Sequence, residues 1–240
     1  LSKDPRKVIA HSLEFIKAHL DNSVLTVAKH FPGQGSAIGD THDSFVDVSK
    51  TWSSKELLPY EELINNKAVN AIMISHLFHS ELDEIYPATL SKLIIKNLLR
   101  DKMGFNGVVV SDDPQMKAIS KQYDLETVLE LMINASVDIF CFGNNLIYDP
   151  DIVEKIHLTI NKLLDEGKLG QLQDILNLIN NQDLKSNPKL DAIKTATLPQ
   201  KTLNLQRNIQ SRNEHKEGSK AILDTMKKMY DSNKNFFSGI

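Results

Sequence analysis

Two stretches of the chain carry side chains able to move protons or form covalent bonds. Lys29 to Ser44 reads K-H-F-P-G-Q-G-S-A-I-G-D-T-H-D-S, and Ser111-Asp112-Asp113 closes an apolar run further on. A carboxylate at the mouth of a strand can serve as nucleophile, general base, metal ligand or loop cap. Adjacent acids in extended backbone point to opposite sides, so only one of Asp112 and Asp113 can face a site. Asp40 and His42 are two apart, so in extended backbone they point the same way. An acid beside an imidazole fixes its tautomer and raises its basicity, which lets the ring give and take protons near neutral pH. A carboxylate nucleophile with a separate proton donor is the equipment for double-displacement glycoside hydrolysis. Lys29 and His30 can donate hydrogen bonds to sugar hydroxyls.

Each of these residues also has a plainer use. Gly33, Gly35 and Gly39 can simply supply turns. His30 can be a satisfied core histidine, and Asp40 an ordinary loop acid or helix cap. The density of Lys, His, Asp and His on one strand-to-loop segment favours a site, and Asp112 at a second strand end favours it again. Metal binding competes for His30, His42, His76, His79, Asp40 and Asp112. That signal is weak, because neither H-E-x-x-H nor paired Cys spacing is present. A serine hydrolase is weaker still, without G-x-S-x-G.

The elements that must position these groups alternate. Asp4-Pro5 reads as a helix start, with Val8, Ile9, Leu13, Ile16 and Leu20 at helical spacing. Val24 to Ala28 reads as a strand, Leu57 to Ile64 as a short helix and Asn70 to Ser75 as a second strand ending in His76. A helix from Thr89 or Leu90 to Met103 and a turn over Gly104–Gly107 lead to the strand Val108–Ser111. The helix Asp124–Ala135, the strand Val137–Phe142 and the helix Pro150–Glu166 follow. The strands are continuous apolar runs, which predicts a parallel sheet buried on both faces, doubly wound or barrel-like. Their polar ends fall where such sheets hold ligands.

Beyond Gly170 the chain turns polar. One amphipathic helix is expected around Leu172, Ile175, Leu176 and Ile179, loose order over about 182–218, and a short helix through Ile222, Met226, Met229 and Tyr230. This divides the chain into residues 1–169 and a helical, polar tail, 170–240. The formal charge of -3 gives no basic surface for nucleic acid. No apolar stretch reaches membrane-span length. The lone cysteine, Cys141, lies in an apolar run and reads as a small core residue.

K-H-F-P-G-Q-G followed by D-T-H resembles the signature of glycoside hydrolase family three, in its bacterial β-N-acetylglucosaminidase (β-hexosaminidase) branch, which usually shows K-H-F-P-G-H-G and D-S-H. Further similar stretches follow in order: Glu56 to Tyr60, Ala71 to His76, Pro87 to Ser91 and Gly104 to Met116. The resemblance implies a (β/α)8 TIM-type barrel, of which this chain covers the C-terminal half, strands five to eight. It implies Asp112 as nucleophile, His42 as proton donor and acceptor in a dyad with Asp40, and Lys29 and His30 as substrate-binding residues, with no metal and no cofactor. The implied reaction is the retaining removal of terminal β-linked N-acetylglucosamine from N-acetylglucosaminyl-anhydromuramyl fragments, in cytoplasmic peptidoglycan recycling.

Gln34 stands where the family usually has His, and Thr41 where it has Ser. The family's first barrel half and its S-x-x-R-I-L-x-L-K ending are not evident. A half barrel would leave two open parallel edges. The chain therefore reads as a fragment, a split-gene product that joins a missing N-terminal half, or a decayed copy. The alternative to an enzyme is a truncated, inactive remnant that at most binds sugar or a partner chain.

Overall fold

Asp4 opens the first helix, α1 (Pro5–Leu20), by accepting a hydrogen bond from the Arg6 N–H at 3.0 Å, with Pro5 in the position where a missing N–H costs nothing. The computed structural model describes residues 2–146, 148–170 and 172. All of these fall within one compact unit, 1–192. The helices expected beyond Leu172 and the loose stretch over 182–218 lie outside the described residues.

Strand β1 (Val27–Phe31) pairs in parallel with β2 (Ala71–Ile74), and β2 with β3 (Val108–Ser111), in the order β1-β2-β3. Helix α2 (Leu58–Asn65) connects the first pair. A wide π-helix (Leu93–Lys102) connects the second and ends with the Met103 N–H on the Leu98 carbonyl. After β3 come the helices Leu125–Asn134, capped by Asp124, and Ile152–Asp165. This is the alternation of a parallel α/β sheet.

The structure corrects three expectations. The first strand begins at Val27, not Val24, because its ladder partner Ala71 lies opposite Val27. Val24 and Leu25 are about half exposed, at 49% and 50%. Lys29 and His30 consequently lie inside β1 and not after it. The register slips between Lys29 and Phe31, a bulge that sets His30 out of the ladder. The Lys29–His30 and Phe31–Pro32 peptide bonds are cis.

The fourth strand shrinks to a single bridge between Val110 and Ile139. The Asp138 carboxylate, itself paired with Arg100, accepts the Val109 N–H at 2.7 Å, in place of a ladder carbonyl. Where a side chain occupies the ladder position, the backbone has no reason to stay in register.

The sheet is also not buried equally on both faces. Phe31, Ile72, Ile74, Val109 and Ser111 are fully buried. The apolar members of this set share one core with Ile95, Leu99, Leu129 and Met132 from the covering helices. On the opposite parity Ala71, Met73, Val108 and Val110 are only half-buried, and Val27 and Lys29 are exposed. Among the described elements, helices cover one face and leave the other open.

Candidate active site

The third strand ends at Ser111, and the next two residues diverge as their alternation requires. Asp112 turns its carboxylate toward His30, with Oδ2 3.7 Å from Nε2. Its Oδ1 accepts the Asp113 N–H at 2.9 Å, and its own N–H donates to the Ile74 carbonyl at 3.2 Å. Asp113 turns the other way and caps the loop that follows. It accepts the N–H of Gln115 at 2.9 Å and of Gly143 at 3.1 Å. A Cβ on Gly143 would stand 2.6 Å from Asp113 Oδ2, so this glycine is there for a close approach. Asp112 is thus the acid turned toward the other ionisable groups, and Asp113 is part of the frame.

Burial holds the His30 imidazole below its usual pKa, against the pull of the Asp112 charge. Lys29 beside it and His42 push in the same direction as burial. His30 is therefore a neutral ring at pH 7, able to donate or accept. Lys29 projects from the exposed side of β1.

Asp40 Oδ1 accepts two hydrogen bonds from His42, from the backbone N–H at 2.9 Å and from Nδ1 at 2.7 Å. The Nδ1 bond to Asp40 raises the His42 pKa, and the Asp112 charge adds to the rise. His42 in turn holds Asp40 ionised, chiefly through its backbone N–H. With Nδ1 engaged, Nε2 is the nitrogen that can exchange a proton with a ligand.

The loop that carries this pair lies against the turn after β3. The Ala118 N–H donates to the Thr41 carbonyl at 3.3 Å, and Lys117 Nζ reaches Asp43 at 3.1 Å. Thr41 is buried by this contact while Asp40 and His42 remain exposed. Asp112, His30, Asp40 and His42 thus gather at the C-terminal rim of the sheet, while Lys29 stays within β1 on its exposed side, opposite Met73.

The remaining members of the metal-ligand set serve other purposes. His79 is buried edge-on against Trp52, at 4.8 Å between ring centroids, and accepts the Glu81 N–H on Nδ1. Among the described residues, no three His, Cys, Asp or Glu side chains are gathered as metal ligands.

His76 is fully buried and donates from Nε2 to the Asp113 carbonyl at 2.8 Å, while Nδ1 has no hydrogen-bond partner. Burial holds its pKa down, so the folded protein favours the neutral ring. The unfolded chain then binds more protons, and stability rises with pH. His76 withdraws stability as pH falls below about 6.5, its ordinary pKa. His76→Leu is expected to cost about 1 kcal/mol at pH 8, the net worth of the lost Nε2–H bond, since the Asp113 carbonyl keeps the Met116 N–H. It should also flatten the melting temperature between pH 5 and 7, as thermal unfolding across that range will measure.

Two contributors escape a reading of spacing alone. Glu56 accepts the Gly35 N–H and the Ser36 hydroxyl across some twenty residues of chain. Trp52 donates from Nε1 to the Pro32 carbonyl at 3.3 Å. Gly33 and Gly35 in one turn were the available signal that something must come close.

A parallel α/β protein of the TIM-barrel type, with ionisable side chains gathered past the C-terminal ends of its strands, is the class that fold and site define. More narrowly, the chain belongs to glycosyl hydrolase family 3. Residues 1–176 match the model of that family's N terminal domain.

A β-hexosaminidase of Tolumonas auensis is 33% identical over 147 residues, which span 60% of this chain and 44% of that protein. The β-hexosaminidase of Haemophilus influenzae is 28% identical over 212 residues, or 85% of this chain and 60% of that protein. The crystal structure of the β-N-acetylglucosaminidase from Thermotoga maritima superposes with a TM-score of 0.59 at 33% identity, covering 70% of this chain and 36% of that one. The chain spans about half the length of the curated relatives it matches.

Proposed function

We propose that this chain carries the catalytic half of a retaining exo-β-N-acetylglucosaminidase. The carrying observation is that the loop bearing the Asp40–His42 pair is tied to the turn that follows Asp112, by the Ala118 N–H on the Thr41 carbonyl and by Lys117 on Asp43. Asp112 attacks the anomeric carbon of a terminal β-linked N-acetylglucosamine. The bond to the leaving oxygen breaks, and that oxygen takes the proton from His42 Nε2. A glycosyl ester on Asp112 results. In the second step His42, now neutral, removes a proton from water, the hydroxide oxygen attacks the anomeric carbon and the Asp112 carboxylate leaves. Two inversions leave the sugar with its original β configuration. Lys29 and His30 hold sugar hydroxyls on the way. No cofactor or metal enters either step.

The half-open sheet face and the length relative to the relatives fit a four-strand share of an eight-strand barrel, strands five to eight. In this reading residues 1–169 are that share. The substrates that suit this reading are N-acetylglucosaminyl-anhydromuramyl fragments of peptidoglycan, recycled in the cytoplasm. Among the described residues, no helix is long and apolar enough to cross a membrane.

The test is incubation of the chain with 4-methylumbelliferyl β-N-acetylglucosaminide, with the released sugar followed by proton NMR. The β anomer is expected first. Release of the α anomer would overturn the double displacement.

The same openness and length favour a second reading, a chain that binds sugar without cleaving it. Saturable N-acetylglucosamine binding with no fluorophore released would select that reading.

A further inference from the structure

The Glu56 carboxylate closes on the root of the loop that carries Asp40 and His42. Its Oε2 accepts the Gly35 N–H at 2.9 Å and its Oε1 the Ser36 hydroxyl. The approach is so tight that a Cβ on Gly33 would lie 2.5 Å from the Glu56 Cβ and 2.7 Å from Oε2. Gly33 also has φ +128°, a conformation that side chains resist.

Glu56 itself is held firmly. It ends a 3-10 turn (Ser54–Glu56) that Ser53 caps. Leu57, next in the chain, is buried, and so is Tyr60, whose ring stands edge-on to Phe31 with centroids 5.2 Å apart. Phe31 is the last residue of β1. A carboxylate on a fixed support thus grips a glycine-rich segment that would otherwise have few restraints. Beyond the grip the loop runs through Ile38, 83% exposed, to its second attachment at Thr41 and Asp43.

We infer that Glu56 is a positioning residue: its clamp on Gly35 and Ser36 sets where the Asp40–His42 pair comes to rest relative to Asp112. Glu56 lies outside the reacting groups and acts through the loop. This inference rests on the glycosidase reading for its kinetic consequence, though not for its structural one. A proton donor displaced by about 1 Å loses on the order of 100-fold in rate. That loss shows only where the donor is needed. An aglycone that leaves without protonation, such as 2,4-dinitrophenolate, does not feel it.

The experiment compares wild type with Glu56→Ala, Glu56→Gln and Gly33→Ala. Hydrogen exchange by mass spectrometry is read on residues 33–44, with α1 and β2 as internal controls. Turnover is read with a poor leaving group, methylumbelliferone, and with 2,4-dinitrophenol.

Glu56→Ala should speed exchange over 33–44 alone. It should lower kcat for the poor leaving group by about 10- to 100-fold at unchanged KM, and leave dinitrophenyl turnover within about threefold. Glu56→Gln keeps an acceptor for the Gly35 N–H and should recover most of the loss. Gly33→Ala sets its Cβ against the Glu56 Cβ and should also speed exchange over 33–44.

Unchanged exchange over 33–44 in Glu56→Ala overturns the clamp. Equal losses on both leaving groups overturn the positioning role. If the wild type proves inactive, the glycosidase reading has failed and exchange alone decides whether the clamp exists.

Discussion

Asp112→Asn is expected to lower turnover of an aryl β-N-acetylglucosaminide by on the order of 10⁴-fold or more, a barrier increase of about 5 kcal/mol. Asparagine keeps the shape of the side chain and its acceptor for the Asp113 N–H, so the rim should stay folded. What disappears is the charged oxygen 3.7 Å from His30 Nε2, the atom that forms the bond to the sugar in the proposed mechanism. The loss should therefore fall on kcat, with binding of N-acetylglucosamine little changed.

A second variant separates a nucleophile from a residue that merely supplies charge. Asp112→Gly opens space at the same point. Added azide should then attack the anomeric carbon directly and restore turnover of an activated substrate. Only one inversion occurs in that case, so the product is the α-glycosyl azide, which NMR distinguishes from the β form. A β-configured azide product, or an Asp112→Asn enzyme within tenfold of wild type, would remove Asp112 from the nucleophile's role.

The parts of the site that the sequence exposed are those fixed by short-range geometry. Two adjacent acids after an apolar strand must diverge, and Asp112 and Asp113 do. An acid and a histidine two apart can meet, and Asp40 and His42 do, at 2.7 Å, though around a turn that starts at Asp40 and not along the extended backbone that the spacing suggested. What stayed hidden depends on partners far away in the chain. Nothing near Val24 says that its strand starts three residues later, since that is decided by Ala71 across the ladder. Nothing near Val137 says that Asp138 will take the Val109 N–H and break the fourth strand into one bridge.

The hold of Glu56 on the loop was hidden for the same reason, because the two groups it accepts from lie 20 and 21 residues upstream. His76 entered only the weak metal-ligand set, by residue type, whereas complete burial and a bond to the Asp113 carbonyl make it a strut under the acid turn.

Asp40→Asn should move the alkaline limb of the kcat/KM profile to lower pH, and His42→Ala should abolish that limb. The sign follows from which form of His42 does the work. The first chemical step needs the protonated ring, to hand a proton to the leaving oxygen. The Nδ1 bond to Asp40 raises the pKa of that ring, so acid catalysis survives to higher pH than an ordinary histidine would allow. Asparagine has no charge to hold the imidazolium, and the pKa falls back toward the ordinary 6.5, leaving only the weaker pull of Asp112 and Asp43. Above that pH the donor is lost earlier and the limb shifts left.

For His42→Ala the expected loss is about 10²- to 10⁴-fold on a disaccharide, whose leaving oxygen needs the proton, and far less on a dinitrophenyl glycoside. Both side chains are largely exposed and pack against little, so neither substitution should lower the melting temperature measurably. A rate loss with the fold intact is what separates a chemical role from a structural one here. An Asp40→Asn profile that superimposes on wild type would mean that Asp40 does not tune His42. A His42→Ala enzyme equally impaired on both leaving groups would mean that the proton comes from elsewhere on the rim.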